Sequence, residues 1–236
     1  MKNNKTLTAI VPIYNEERYL ADSVERLLKT EIFKEIILVD NYSTDKSFSI
    51  AQYLSSHYDI ISILQTESNS GKASAVQLGL EFVKTTHVIV HDADLEYFPE
   101  DIAEMFEIAK MNPNDLILGS RVIGNKKRKN IYFTTYFGNR ILSIMFSFLN
   151  RYKVSDISTC YQMYSLENIQ KLCLKEKGFG MELEVLSKFI KLDIDIIEVP
   201  IKYEGRSYSD GKKIKLSDAL NIAFKILRYC KFNLFS

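Results

Sequence analysis

The 236-residue sequence predicts an α/β fold, a mostly parallel sheet with helices on both faces. Three observations carry that expectation. Short, continuous apolar runs alternate through the first half with segments whose apolar residues recur at three- and four-residue steps. Each run is closed by polar, mostly acidic residues, as at the carboxyl ends of strands in an open sheet. The composition, 46% hydrophobic and 26% charged with 9 Gly and 4 Pro, suits a chain that buries a core rather than a disordered or fibrous one.

Leu7 to Val11 reads as the first strand, ended by Pro12, and Tyr19, Leu20, Val24, Leu27 and Leu28 set a helical period after Asn15. Ile36 to Val39 is the second strand, closed by Asp40, with Ser43 and Thr44 as expected caps of a helix through Ile50, Ala51 and Leu54. The unit repeats in Ile60 to Leu64, a helix over Ala73 to Val83, and His87 to Val90, which runs into His91-Asp-Ala-Asp94. Strands apolar on both faces, joined by helices, favour right-handed parallel connections. A helix from Pro99 to Ala109 follows, then a strand at Leu116 to Leu118 ending in Gly119-Ser-Arg121. The remainder is less regular: a basic loop at Lys126, Lys127, Arg128 and Lys129, an apolar stretch from Tyr132 to Leu149, then Asp156 to Tyr164 and Gly178 to Ile190. A strand over Ile196 to Tyr203 and an amphipathic helix from Ser217 to Phe232 complete the chain, the helix placing Leu220, Ala223, Phe224 and Leu227 on one face. No repeat, low-complexity tract or linker divides it, so a single domain over 1–236 is expected, with a more regular half at 1–123 and a less regular one at 124–236.

Several function classes are excluded. The 31 basic and 30 acidic residues sum to +1, so no global field points to nucleic acid. No GxGxxG and no GxxxxGK occurs, which removes the usual dinucleotide and P-loop signatures. Three widely spaced cysteines, Cys160, Cys173 and Cys230, form neither a zinc spacing nor a disulfide framework, which fits a reducing cytoplasm. The N-terminal segment is too polar for a secretory signal, and no run of about 18 apolar residues is present to span a bilayer.

The chemistry concentrates at the strand ends: Pro12 to Glu16, Asp40, Glu67 to Lys72, and Asp92 to Glu96. Asp92 and Asp94 are two apart, so extended geometry would aim both at one face, with Glu96 continuing the alternation, where a hard divalent cation such as Mg²⁺ or Mn²⁺ takes oxygen ligands. Such an ion leaves positions open for substrate phosphates and neutralises charge on a departing diphosphate. Alone, Asp-x-Asp is equally the pattern of solvated loop carboxylates.

The segments Val11-Pro-Ile-Tyr-Asn-Glu-Glu17, Ile37-Leu-Val-Asp40 with Ser43-Thr-Asp45, Asn69-Ser-Gly-Lys72, Asp92-Ala-Asp-Leu-Glu96, Gly119-Ser-Arg121, Asp156 to Tyr161, and Glu198-Val-Pro200 with Arg206 to Lys213 together resemble family 2 glycosyltransferases. The similarity is to the dolichol-phosphate mannosyltransferase-like branch, in a soluble bacterial-type form, and implies a GT-A (Rossmann-like) fold. The first half would then bind the nucleotide sugar and the irregular second half the acceptor. It implies that Pro12, Tyr14, Glu16, Val39, Asp40 and Lys72 surround the donor, that Asp92 and Ala93 face ribose and diphosphate, and that Asp94 and Glu96, with Asp92, hold the metal. Arg121, Arg206 and Lys212 match positions that bear phosphate charge. The implied activity is metal-dependent, inverting transfer from a GDP- or UDP-sugar.

Two departures stand out. Asn41 and Tyr42 replace the second Asp and the Gly of the usual Asp-Asp-Gly-Ser, so the turn is expected to change. The chain stops at Ser236 without the transmembrane helices of membrane-embedded relatives. A hydroxyl acceptor would require a general base, for which Asp156 and Glu182 are the candidates, whereas a lipid-phosphate acceptor would arrive ionised. His57, His87 and His91 have no ligand spacing, and Cys160 has no His partner to activate it. The basic loop next to Tyr132, Phe133, Tyr136 and Phe137 has the composition of a peripheral contact with anionic lipid on the inner face of a membrane. A binding protein without turnover and a nucleotidyltransferase are the competing classes; against the second, Val11 to Glu17 contains no Gly to cradle a triphosphate.

Overall fold

The computed structural model describes residues 5–129, 133–178, 180–206 and 216–230, with the backbone alone at 133–135 and 216–219. Seven strands form the central sheet: β1 (Leu7–Ile13), β2 (Glu35–Asp40), β3 (Ile61–Gln65), β4 (His87–Val90), β5 (Leu116–Ser120), β7 (Gln162–Ser165) and β8 (Ile196–Pro200). Their order is β3-β2-β1-β4-β7-β5-β8, and β6 (Arg128–Lys129) pairs separately with β9 (Tyr203–Glu204). All sheet pairings are parallel except those of β7, which runs antiparallel to both β4 and β5.

The helices are α1 (Leu20–Leu28), α2 (Ser47–His57), α3 (Lys72–Phe82), α4 (Glu100–Met111), α5 (Phe133–Asn150), α6 (Leu166–Gln170), α7 (Met181–Lys191) and α8 (Leu216–Tyr229). They cover both faces. Ala9, Val11 and Ile13 of β1 pack on one side with Leu20, Val24 and Leu27 of α1 and with Ile102 and Met105 of α4. Ile10 points to the other side, into a cluster with Val76 of α3, Phe146 of α5 and Leu186 of α7. Each fully buried Leu, Ile or Val contributes about 1.5–3 kcal/mol, and burial on both faces explains why these strands read as unbroken apolar runs. α3 lies so close to the sheet that a Cβ on Gly79 would fall 2.8 Å from the Ile10 side chain.

Four expectations are corrected. Ser43 and Thr44 do not cap α2: that helix begins at Ser47, whose N–H is accepted by Asp45 Oδ1 at 2.9 Å. The stretch from Ile196 to Tyr203 is not one strand; it breaks after Pro200, and Tyr203 joins β6. Beyond Val90 the chain turns instead of continuing extended, with Leu95 left-handed at φ 62°. The basic loop is a partly neutralised cluster, with Lys127 exposed and the other three cations engaged. Lys126 pairs with Asp101 (3.0 Å) and Glu104 (2.7 Å), Lys129 with Glu204 (3.2 Å), and Arg128 donates to the carbonyl of Val122 at 2.8 Å. Among the described residues, no helix is long and apolar enough to cross a membrane.

Candidate active site

β1 has β2 on one side and β4 on the other, so chain connections leave its two edges in opposite directions and open a crevice beyond the carboxyl ends of β1 and β4. The crevice wall beside β2 is built by reciprocal hydrogen bonds between loops. Asn15 donates its N–H to Ser43 Oγ (3.1 Å) and accepts from the Thr44 N–H (2.8 Å), while Glu16 N donates to Ser47 Oγ at 2.8 Å. Here Ser43 and Thr44 find their use. Val39 and Asp40 are fully buried, Pro12 is partly so, and Tyr14 is 45% exposed. Asp40 Oδ2 accepts from Ser43 N (3.1 Å) and Gln65 Nε2 (2.9 Å), whereas its buried Oδ1 has no hydrogen-bond partner among the described residues. Asn41 clasps the next loop, donating to Asn69 Oδ1 at 2.8 Å. Tyr42 is left-handed at φ 62°, so at the position where Gly was expected the chain uses a conformation that Gly adopts without penalty and Tyr does not.

At the β4 end, acidic and basic side chains interleave. Lys72, the first residue of α3, lies 2.8 Å from Asp92 and 3.0 Å from Glu182, joining the donor loop to α7. Burial opposes its charge, but the two carboxylates outweigh burial and hold its pKa well above the usual lysine value. The same contact holds Asp92 below the ordinary carboxylate range against its own burial. Asp94 behaves oppositely: burial, with Asp92 and Glu96 nearby, pushes it up to about 7. Its Oδ1 accepts from Glu96 N (3.1 Å), and its Oδ2 lies 3.2 Å from Arg206 Nη2. Arg206 also reaches Glu16 at 3.4 Å. Burial likewise raises the pKa of Glu16, with Arg206 opposing. Ala93, between the two aspartates, is buried.

Glu96 turns inward. Its Oε2 accepts from the Tyr203 hydroxyl and its Oε1 from Arg206 N at 2.7 Å, so the residue expected as a third ion ligand anchors the segment leading into Arg206. Among the described residues, no three His, Cys, Asp or Glu side chains converge to hold a metal. Asp94, with Asp92 beside it, still fits one: an acid whose own burial and acidic neighbours disfavour its charge gains from a cation, and Mg²⁺ is commonly held by one or two carboxylates plus substrate phosphates.

Asp156 is fully buried and grips Arg121 through two guanidinium bonds of 2.8 Å and a backbone bond of 3.0 Å; Asn139 Nδ2 adds a fourth at 2.9 Å. Burial opposes ionisation, but Arg121 wins and lowers the Asp156 pKa. The guanidinium lies 5.0 Å from the Tyr203 ring and 5.8 Å from the Tyr97 ring. Burial raises the Cys160 thiol far above its usual value, which removes it as a nucleophile. Lys212 lies outside the described residues. Sequence reasoning missed Tyr203, Tyr97 and Asn139, which orient Glu96 and Arg121; only their nearness to charged motifs marked them.

A mostly parallel α/β sheet with a switch-point crevice at the ends of β1 and β4, walled by buried carboxylates and crossed by Lys72 and Arg206, is the architecture of a GT-A type fold. The model for Glycosyl transferase family 2 matches residues 8–173, and the chain belongs to that family; it is a glycosyltransferase. It is 26% identical over 241 residues to the UDP-N-acetylglucosamine–dolichyl-phosphate N-acetylglucosaminyltransferase of Methanococcus voltae, covering 95% of this chain and 96% of that protein. It is 30% identical over 222 residues to the dolichol-phosphate mannosyltransferase of Pyrococcus furiosus, covering 88% of this chain and 60% of that one. Its fold superposes at a TM-score of 0.75, with 16% identity and over 98% of this chain and 80% of the other, on Mycobacterium tuberculosis glucosyl-3-phosphoglycerate synthase in complex with Mn²⁺, UDP and phosphoglyceric acid.

Proposed function

We propose that the protein transfers a sugar, with inversion, from a UDP- or GDP-sugar to a lipid phosphate of the polyprenyl type at a membrane surface. The observation that carries the acceptor is the commitment of both candidate bases. Asp156 is locked to Arg121 and Glu182 to Lys72, so neither is poised to take a proton from a hydroxyl. A phosphate monoester needs no base, and Arg121 and Arg206 supply the charge to bring it toward a second anion. Asp156 then positions Arg121, and Glu182 positions Lys72 beside Asp92. Asp94 and Asp92 would hold Mg²⁺ or Mn²⁺ together with the donor phosphates, and the bound ion would supply charge neutralisation on the leaving diphosphate. An acceptor oxygen forms the new bond to the anomeric carbon as the bond to the nucleoside diphosphate breaks, and that diphosphate leaves with the electron pair. The M. voltae and P. furiosus relatives, named for dolichyl-phosphate acceptors, support this reading.

The membrane contact rests on α5 and α8 rather than on the paired basic loop. Phe137, Ile141, Ile144 and Phe148 recur at steps of four, three and four along α5 and are 53–81% exposed, and α8 packs alongside with Leu220 and Phe224 exposed. Asn139, two residues after Phe137 and so on the opposite face of α5, donates to Asp156, and the helix that presents the apolar stripe is thereby tied on its inner side to the Asp156–Arg121 pair.

A thermal-shift panel of nucleoside diphosphates with and without Mn²⁺ identifies the donor base, and transfer assays with a short polyprenyl phosphate against a soluble phosphate identify the acceptor. Flotation with phosphatidylglycerol vesicles should survive raised salt but be lost in Ile144→Asp/Phe148→Asp. Transfer to soluble phosphates alone, without flotation, would overturn the lipid reading.

A further inference from the structure

We infer that Tyr42 is a nucleobase-stacking residue of the donor site, a deepening that rests on the donor reading above. With the diphosphate placed at Asp92 and Asp94, beyond β4, the buried acceptor left without a partner at Asp40 Oδ1, at the end of β2, directs the nucleoside across the end of β1 toward β2. Neighbouring strands are about 4.8 Å apart, so two spacings, roughly 10 Å, bring the base over the end of β2. Asp40 and Asn41, the first residues there, are 0% and 3% exposed and offer no face to a base, although Asp40 Oδ1 is a buried acceptor without a partner among the described residues. Tyr42 comes next, 53% exposed and left-handed at φ 62°.

Neither packing nor hydrogen bonding accounts for that ring. Its side chain makes no hydrogen bond, ring contact or cation contact with the described residues, yet its backbone holds a conformation costly to any residue with a Cβ. The backbone beneath it is fixed on both sides. Ser43 N donates to Asp40 Oδ2 (3.1 Å), Ser43 Oγ accepts from Asn15 N (3.1 Å), and Asn41 is bonded to Asn69 (2.8 Å). The left-handed turn serves the Ser43 bonds, and Gly would make it at lower cost; what the turn does not use is the ring, and a rigidly mounted, exposed aromatic side chain at the end of β2 suits the flat face of a purine or pyrimidine. Such stacking tolerates any base, so Tyr42 contributes affinity without choosing between UDP and GDP.

The test compares parent, Tyr42→Gly and Tyr42→Phe by calorimetric titration with UDP and GDP in Mn²⁺ and by melting without ligand. Tyr42→Gly should melt about 2–4 °C higher, because the left-handed strain is relieved, yet bind the parent's preferred diphosphate about tenfold more weakly. Tyr42→Phe, which keeps the ring, should stay within about twofold of the parent in affinity, with no rise in melting temperature. If the parent binds and Tyr42→Gly binds equally well, the stacking role is overturned while the donor site stands. A Tyr42→Gly protein no more stable than the parent overturns the strain argument. A parent that binds no nucleoside diphosphate overturns the donor reading itself.

Discussion

Replacing Arg206 with alanine should move metal binding and turnover in opposite directions. Without ligand, the guanidinium stands where a divalent ion would compete for the same carboxylates, 3.2 Å from Asp94 and 3.4 Å from Glu16. A hydrogen bond to a charged group is worth about 1.5–3 kcal/mol, and with the Arg206 side chain 27% exposed, solvent screening reduces the contact to about 1–2 kcal/mol. An ion entering the parent displaces that contact, and one entering Arg206→Ala does not. Mn²⁺ alone should therefore bind the variant roughly 5- to 30-fold more tightly. On the proposed donor reading the same arginine then faces the diphosphate, and its loss should lower turnover by about 10²–10³. The assay is Mn²⁺ titration by electron paramagnetic resonance at pH 8, where Asp94 is ionised in the parent, paired with steady-state kinetics. Unchanged or weaker Mn²⁺ binding in the variant would refute the competition, and lost donor affinity with unchanged turnover would show that Arg206 only binds.

Asp94→Asn should abolish transfer and the Mn²⁺-dependent stabilisation by nucleoside diphosphate. In the parent, Mn²⁺ affinity should fall as pH drops through about 7, because the ion must displace the proton that burial favours on Asp94, and a pH-independent affinity would exclude Asp94 as a ligand. Asp156→Ala strands the Arg121 charge and should cost about 3–5 kcal/mol, read as a fall in melting temperature of roughly 6–20 °C; normal stability with lost activity would restore Asp156 as a base. His91, bonded to Ser23 at 3.0 Å and Tyr161 at 2.9 Å, is driven by burial to a pKa of about 4. The unfolded chain takes up its proton first, so stability should be complete above about pH 6.5 and decline by about 3 kcal/mol toward pH 4. Urea titrations across that range should show a flatter decline in His91→Gln, and identical slopes would rule out His91 as the source.

The parallel strands and their helices were legible because their signal is local: Ile36 to Val39 is apolar on both faces, and α1 repeats Leu20, Val24 and Leu27 at helical steps whatever the rest of the chain does. The motifs at the strand ends were legible too, since chain order alone sets which residues follow each strand. Tertiary structure decided what those residues touch. Gln162–Ser165, with polar residues at both ends of four, does not announce a strand and becomes β7 because β4 and β5 offer edges on both sides. Ser43 and Thr44, helix caps by type, are claimed by Asn15, 28 and 29 positions away. Glu96 continues the Asp92 and Asp94 spacing, but Tyr203 and the Arg206 backbone, more than 100 residues later, turn it into an anchor. Lys126 and Lys129 look like a basic patch until Asp101, Glu104 and Glu204 meet them. A side chain's charge and hydrogen-bonding capacity are written in its residue type, but its partner is set by which distant segments the sheet order brings within about 3 Å, and that distance is a property of the folded chain alone.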